Sequence, residues 1–178
     1  GKLYTLFSHG KLSRVDANSG NVEWSIQVTP ESYEFPEWGL AISPLIWNDM
    51  IILSLGGEVS AVKAYSIKSG KKVWQSEVAG KAVYLSPEVL RLLDEDHLIV
   101  SLVGKIVSLD PKNGKTLWEK PWKIFMNNAQ IVQPIAVSND SILLAAGYGK
   151  GAECFSIARD EESEKYRVQS SWKSKDLK

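Results

Sequence analysis

The stretch "DPKNGKTLW" (Asp110–Trp118) predicts a tight turn that leads into a β-strand. The same layout occurs in "DANSGNVEW" (Asp16–Trp24) and in "SIKSGKKVW" (Ser66–Trp74), and in all three a glycine precedes the tryptophan by four residues. A glycine at that position supplies the positive φ that a hairpin turn needs. The glycines expected to have positive φ are Gly20, Gly70 and Gly114.

Two sequence markers recur in step along the whole chain. The first is a tryptophan, with successive spacings of 50, 44 and 54 residues, at Trp24, Trp74, Trp118 and Trp172. The second is a proline-ended triplet ("ISP", "LSP", "VQP") with spacings of 43 and 47 residues, at Pro44, Pro87 and Pro134. Two markers that share one phase indicate an internal repeat of about 40 to 50 residues.

Each period has the pattern of four short strands. The period 85–122 contains "LSPEVLRLL", "HLIVSLV", "GKIVSLD" and "KTLWEKPW", which are apolar or alternating runs separated by turn residues. No segment keeps a helical period, and the acidic run 94–96 is expected in a solvated turn between the first two strands. Four short strands in every 40 to 50 residues predict the blades of a β-propeller.

These residues resemble the PQQ-like (quinoprotein-type) propeller repeat. Its outer hairpin carries a tryptophan-docking motif, roughly Ala-x-Asp-x-x-Thr-Gly-x-x-x-Trp, and the resemblance implies that each tryptophan is buried between neighbouring blades. Three copies match in part, and the fourth keeps only Trp172, because its outer hairpin is longer. The structural docking residues are therefore Trp24, Trp74, Trp118, Trp172, Gly20, Gly70 and Gly114.

The predicted fold is all-β, a propeller segment of about four four-stranded antiparallel blades similar to quinoprotein alcohol dehydrogenases. The approximate blades are 1–29, which is incomplete and lacks an inner strand, 40–79, 83–123 and 131–178. The resemblance implies a place in a seven- or eight-bladed ring, and a closed four-bladed ring stays open as an alternative. An open segment would expose blade edges that invite pairing with another chain.

Composition excludes several functional classes. Lysine plus arginine equals aspartate plus glutamate at 21 each, so no basic excess favours nucleic acid as a partner. The single Cys154 cannot form an internal disulfide, and it is expected to be a small buried hydrophobe. No apolar run approaches the ~20 residues of a transmembrane helix, and the opening residues do not have a signal-peptide layout.

The sequence nominates neither catalytic nor metal-binding residues. The carboxylates lie mostly in turns, where they converge poorly on one cation. The stretch "GYGKGAE" (Gly147–Glu153) lacks the residue order of a phosphate-binding loop and is expected to be a strand connection.

Aromatic residues and lysines in long connections are the candidate ligand site. The connection after the first blade is "TPESYEFPEWGLA", and the one after the third is "EKPWKIFMNNAQ". They share one face of a propeller with the loops between second and third strands, and they suit a peptide, a sugar or a flat ligand. The alternative is that they plug the blade tops. The candidates are Tyr33, Phe35, Trp38, Trp122, Lys123, Phe125, Tyr148 and Lys150.

The function expected from this pattern is binding or scaffolding without catalysis and without a cofactor. The partner is a protein, a peptide or the remaining blades of the same propeller. The resemblance implies a periplasmic or otherwise extracytoplasmic location, since some bacterial members are assembly factors that dock onto outer-membrane machinery. One alternative is part of a PQQ-dependent dehydrogenase that oxidises alcohols or sugars with PQQ and calcium. Another is a ligand-free module of a larger secreted protein.

Overall fold

The computed structural model describes residues 1–124 and 130–176, and within them the chain forms β-strands and loops without a helix. The first sheet has three strands: β1 (Lys2–Leu6), β2 (Lys11–Asp16) and β3 (Val22–Gln27). The second has four: β4 (Leu45–Trp47), β5 (Met50–Ser54), β6 (Val62–Ser66) and β7 (Lys72–Gln75). The third contains β8 (Glu88–Leu92), β9 (Glu95–Leu102), β10 (Lys105–Leu109) and β11 (Thr116–Pro121). The fourth contains β12 (Ile135–Ala136), β13 (Ser141–Ala146), β14 (Gly151–Arg159) and β15 (Tyr166–Ser174).

The predicted all-β propeller segment is confirmed. The four sheets, named blades 1 to 4 in chain order, are antiparallel with strands in sequence order, as in a blade. Blade 1 has three strands. Its β1 pairs with β2 as β5 pairs with β6, so β1 corresponds to the second strand of a four-stranded blade and the position of the innermost strand is unfilled. Of the acidic run, Asp94 lies in the turn between β8 and β9 as expected, whereas Glu95 and Asp96 belong to strand β9.

Three apolar cores lie between successive blades. The core between blades 1 and 2 combines Leu12 and Trp24 with Ile51 and Tyr65. The other two cores repeat this arrangement between blades 2 and 3 and between blades 3 and 4. A fully buried aliphatic or aromatic side chain contributes about 1.5 to 3 kcal/mol, so these interfaces, and not any one sheet, hold the segment together.

The outer hairpins use one turn in all four blades. In each, the first residue's N–H donates to the carbonyl five residues later, as Asp110 does to Lys115 and Asp160 does to Lys165. The expected glycines have φ of +73° at Gly20, +68° at Gly70 and +74° at Gly114. In blade 4 the same turn position holds Glu164, which adopts φ +55° without being glycine.

A β-bulge places each tryptophan directly after the register shift of its outer hairpin. Trp74 pairs with Ala64 after such a shift, and Trp172 pairs with Cys154 in the same manner. In blade 4 five residue pairs lie between the register shift and the turn, from Phe155 with Ser170 to Arg159 with Tyr166, whereas each of the other outer hairpins has one pair there. The lengthened hairpin therefore moves the turn outward and leaves the tryptophan at the same height.

The surroundings of the four tryptophans are not the same. A Cβ added at Gly70 would lie 3.1 Å from Cε3 of Trp24, and one at Gly114 would lie 2.5 Å from Cε3 of Trp74. Trp118 is 4% exposed and packs its ring 5.7 Å from that of Phe155. Burial of the fourth tryptophan between blades was expected and is wrong: Trp172 is 45% exposed, because none of the described blades packs on its face.

Candidate functional site

Two grooves open on the edge of the blades that carries the connections between them. Since the strands are antiparallel, the loops β1–β2 and β13–β14 emerge at the same edge as the connections β3–β4 and β11–β12. The first groove, of about 250 Å³, is lined by Ser8, His9, Phe35, Pro36, Glu37, Trp38 and Gly39. The second groove, of about 480 Å³, is lined by Trp122, Gly149, Lys150, Ala152, Glu153, Lys173, Ser174 and Lys175.

The first groove is built on an aromatic chain. The phenolic O–H of Tyr33 donates to the carbonyl of Leu55, which fixes the β3–β4 connection on blade 2. Phe35 meets Tyr33 edge to face at 4.7 Å, and the His9 ring lies 5.4 Å from Phe35. These contacts hold a half-exposed aromatic wall at the end of blade 1.

Trp38 extends this wall and is largely exposed to solvent. Its ring lies 5.2 Å from that of Tyr84, its backbone N–H donates to the Tyr84 hydroxyl at 3.3 Å, and 61% of the residue is exposed. The connection from blade 1 is thereby tied to the start of blade 3. An indole held by its backbone and exposed on its face is the kind of side chain that anchors protein interfaces.

The second groove has a charged wall around a buried carboxylate. Glu153 is 4% exposed, and its Oε1 lies 2.7 Å from Nζ of Lys120, while Oε2 lies 3.7 Å from Nζ of Lys173. The Lys150 ammonium sits 4.2 Å from the ring centre of Trp122, a cation–π contact. Trp122 is almost fully buried, and its indole nitrogen has no hydrogen-bond partner among the described residues.

Opposing effects set the protonation of this groove. Burial acts to raise the pKa of Glu153, but hydrogen bonds from Lys120 and Ser170 and the charges of Lys120 and Lys173 bring it below its ordinary value. Burial lowers the pKa of Lys150. At neutral pH the carboxylate is ionised and already paired, so the groove offers ammonium groups to a ligand.

The structure divides the candidate residues between two places. Tyr33, Phe35 and Trp38 belong to the first groove or its support. Trp122 and Lys150 line the second, but Lys150 covers the indole, so a flat ligand would stack there only after displacing the lysine. Tyr148 and Lys123 are exposed beside the second groove without lining it, and Phe125 lies outside the described residues.

Sequence reasoning missed three charged residues. Glu153 is the centre of the second groove, and the signal for it was a lone acid inside the buried run "GAECF". Nothing in the sequence around its partner Lys120 indicates that this lysine pairs with a buried acid. Glu88, at the start of strand β8, has a buried Oε1 without a hydrogen-bond partner among the described residues, and burial raises its pKa to about 7.

Residues 1–124 and 130–176 contain neither a cluster of metal-ligating side chains nor a helix that could span a membrane. No group of three or more histidine, cysteine, aspartate or glutamate side chains there is placed to hold a metal ion. The same residues contain no helix of the length and apolarity needed to cross a membrane.

Comparison with known proteins identifies one family and several solved structures of similar fold. The family model described as "Outer membrane protein assembly factor BamB" matches residues 1–177. The search of curated proteins returned no match. BamB from Moraxella catarrhalis has a TM-score of 0.58 at 20% identity, over 94% of this chain and 48% of its own.

Two further solved structures share the fold. Quinohemoprotein alcohol dehydrogenase from Comamonas testosteroni has a TM-score of 0.60 at 19% identity, over 96% of this chain and 34% of its own. Hsv2 from Kluyveromyces lactis has a TM-score of 0.58 at 10% identity, over 94% of this chain and 57% of its own. The present chain thus spans about half the length of the solved BamB and a third of the dehydrogenase.

Proposed function

Since this chain belongs to the PQQ-like propeller family described as outer membrane protein assembly factor BamB, we propose that it is a non-catalytic binding or scaffolding module. Its partners are proteins engaged in outer-membrane assembly, and its place of action is the periplasm or another extracytoplasmic compartment. The observation that carries the proposal is the match of the family model from residue 1 to residue 177.

The first groove supports a protein partner. Its wall presents Phe35 and Trp38 to solvent on backbone that is fixed by Tyr33 and Tyr84. Rigid, exposed aromatic side chains are the usual anchors of protein interfaces, because they bury much area at little cost in conformational entropy. Trp38 is the residue expected to contribute most.

The test is a deletion of the gene in its host, complemented by the wild type and by two variants. We expect deletion to lower the amount of folded outer-membrane proteins, and wild-type complementation to restore it. Trp38→Glu should restore it poorly, whereas Val73→Glu, an equally exposed apolar position on the outer strand of blade 2, should restore it fully. Unchanged outer-membrane proteins in the deletion strain would refute the proposal.

The dehydrogenase alternative is separated by a cofactor titration. PQQ with calcium is added to the purified chain, and binding is followed by calorimetry and by the thermal midpoint. The scaffolding proposal predicts no shift. A dissociation constant in the micromolar range, about −8 kcal/mol, with a cofactor-dependent rise in the midpoint would favour the enzyme.

A further inference from the structure

The second groove, between blades 3 and 4, is positively charged although the chain as a whole is neutral. Lysine plus arginine and aspartate plus glutamate number 21 each over the whole sequence. Three lysines nevertheless line this groove, Lys150, Lys173 and Lys175. The carboxylate of Glu153 stands against them, and a further ammonium, that of Lys120, lies 2.7 Å from this carboxylate. The surplus of positive charge attracts an anion.

The ammonium groups of this groove are not neutralised equally. Lys120 and Glu153 are both nearly buried and in close contact, so each largely satisfies the other. Lys173 is largely exposed, and its Nζ lies 3.7 Å from the second carboxylate oxygen of Glu153. Lys150 contacts the ring of Trp122 and forms no ion pair with any residue that the structure describes. Lys150 and Lys173 are therefore the cations available to a ligand.

The β13–β14 loop fixes the position of Lys150 opposite Lys173. Gly149 and Gly151, on either side of the lysine, have φ of +77° and +76°. A Cβ added at Gly151 would lie 2.1 Å from the carbonyl oxygen of Ser174, so the close approach of the loop to strand β15 requires glycine. This approach places the two lysines on the walls of one groove.

The lining of the groove suits carboxylates on an extended chain better than a phosphate group. The stretch 147–153 lacks the residue order of a phosphate-binding loop, and none of the described lining residues is an arginine, whose planar fork matches phosphate. The volume of about 480 Å³ exceeds what a single small ion fills. Trp122 and Ala152 add apolar surface between the cations. A peptide with spaced acidic side chains fits these features.

The first groove has the opposite charge and would not compete for such a ligand. The β3–β4 connection that forms its wall exposes Glu31, Glu34 and Glu37. Its described lining contains neither lysine nor arginine. An acidic segment is therefore directed to the second groove by charge.

We propose that the second groove binds an acidic segment of a protein partner, with carboxylates of that segment paired to Lys150 and Lys173. The choice of a protein as ligand rests on the proposed function, whereas the choice of an acidic ligand rests on the groove. The indole N–H of Trp122 has no partner among the described residues. It offers a further donor to a ligand that draws Lys150 away from the ring.

The first test is a titration of the purified chain with two unlabelled peptides of about six residues. One alternates glutamate with serine, and the other has glutamine in place of each glutamate. We expect the indole N–H resonance of Trp122 and the amide resonances of the β13–β14 loop to shift with the acidic peptide alone, with a dissociation constant on the order of 100 μM. Raising the salt from about 50 to about 500 mM should weaken binding more than about fivefold. Equal binding of both peptides, or of neither, overturns the proposal.

Neutralising variants test the two lysines. Lys150→Gln and Lys173→Gln should each weaken binding of the acidic peptide by about three- to tenfold, because each removes one ion pair. Lys112→Gln is the matched control, since it loses the same charge from an exposed position in the outer turn of blade 3, and it should leave binding unchanged. Circular dichroism and the thermal midpoint establish that each variant is folded. An equal effect of all three substitutions would show attraction to the overall charge and overturn the proposal.

Other anions are distinguished by the same titration. Inorganic phosphate, and vesicles of phosphatidylcholine with about 20% phosphatidylglycerol, replace the peptide. Saturable binding of either that depends on Lys150, without binding of the acidic peptide, would assign the groove to that anion and overturn the proposal. The outcome is separate from the gene deletion: an absent deletion phenotype refutes the proposed function, whereas an absent peptide interaction beside a clear phenotype refutes only the role of this groove.

Discussion

The outer hairpins of blades 3 and 4 cover the tryptophan of the preceding blade in different ways. In blade 3 a short hairpin brings the bare backbone of Gly114 onto the ring of Trp74, which stays half-buried. In blade 4 a longer hairpin lays Phe155, Ile157, Tyr166 and Val168 over Trp118, which becomes almost fully buried. The same docking position is thus served by backbone in one case and by side chains in the other.

The longer hairpin also forms polar contacts with blade 3. The Tyr166 hydroxyl donates to Oε2 of Glu95 at 2.7 Å, and Arg159 pairs with Oε1 of the same glutamate at 2.5 Å. Beneath them the Trp118 indole N–H donates to Nδ1 of buried His97 at 3.3 Å. A glycine contact needs only a short hairpin, but it covers little of the tryptophan ring. A longer hairpin buries more apolar area and adds hydrogen bonds.

The largest effect is expected from truncating the better-covered tryptophan. Trp118→Ala should destabilise the chain by about 3 to 5 kcal/mol, since it removes a buried large aromatic side chain. Trp74→Ala should cost about 2 to 3 kcal/mol because the indole is half-buried. Urea unfolding of both variants is the measurement, and an equal or reversed order would break the comparison between hairpins.

Trp172→Ala is the control for these two variants. It removes the same side chain from the same register, but from a face that none of the described blades covers. We expect a loss of about 1 kcal/mol or less. A loss as large as that of Trp118→Ala would show that the tryptophan stabilises its own blade and not the contact between blades.

The glycine contact is isolated by alanine substitution at two turns of equal φ. Gly20→Ala should cost about 1 to 2 kcal/mol through the left-handed backbone alone. Gly114→Ala places a Cβ 2.5 Å from the Trp74 ring, which would have to move. We therefore expect a loss of stability of about 2 to 4 kcal/mol. Urea unfolding of both variants is the measurement. Equal losses would mean that Gly114 acts only through its φ.

The free energy of unfolding depends on pH partly through Glu88, and this contribution is removed before the effect of Glu95 is measured. The folded pKa of Glu88, about 7, lies above the ordinary value of 4.5, so the folded state holds the proton more tightly. Stability is therefore full below about pH 4.5, falls as the pH rises toward 7, and is level above it. Glu88→Gln should remove this fall and stabilise the chain at pH 8 by about 1 to 2 kcal/mol, discounted for partial exposure. A variant with the wild-type pH profile would contradict it.

A small effect is also expected from the hydrogen bond of the longer hairpin. Tyr166→Phe should cost about 1 kcal/mol at pH 7, at the low end for a charged acceptor because Glu95 is partly exposed. The hydrogen bond from Tyr166, together with the charge of Arg159, lowers the pKa of Glu95 in the folded state. Its stabilisation is thus complete above the unfolded value of 4.5 and is lost as the pH falls through the folded pKa.

The coupling between this hydrogen bond and the ionisation of Glu95 is measured in the Glu88→Gln background. The free energy of unfolding is compared as a function of pH for chains with and without the Tyr166→Phe substitution. The difference between the two chains should close in acid, because protonated Glu95 no longer offers a charged acceptor. A difference that stays constant with pH would refute the coupling.

Most of the local architecture could be predicted from the sequence. The repeated turn and the alternating runs are local, the tryptophan and proline markers recur once in about 40 to 50 residues, and together they are sufficient for the strands and the blade type. Even "SPEVLRLLDEDH", which resembles a helical turn by itself, is assigned to strands by its place in the repeat, and the structure has β8 there. The error at Glu95 arose because the β8–β9 hairpin closes through only two residues, Leu93 and Asp94, both of positive φ, so that Glu95 already pairs with Leu92.

The candidate site was less accessible to such reasoning. That aromatic residues and lysines lie in the connections between blades follows from the sequence alone, because composition and spacing define those segments. The packing of the blades on one another is what forms two grooves, places Lys150 over Trp122, and pairs Glu153 with Lys120 across blades. It likewise decided that Trp118 is covered and Trp172 is not. The physical reason is that burial and ion pairing in a propeller depend on which side chains of the neighbouring blade pack against a residue. The local sequence pattern of one blade does not specify those side chains.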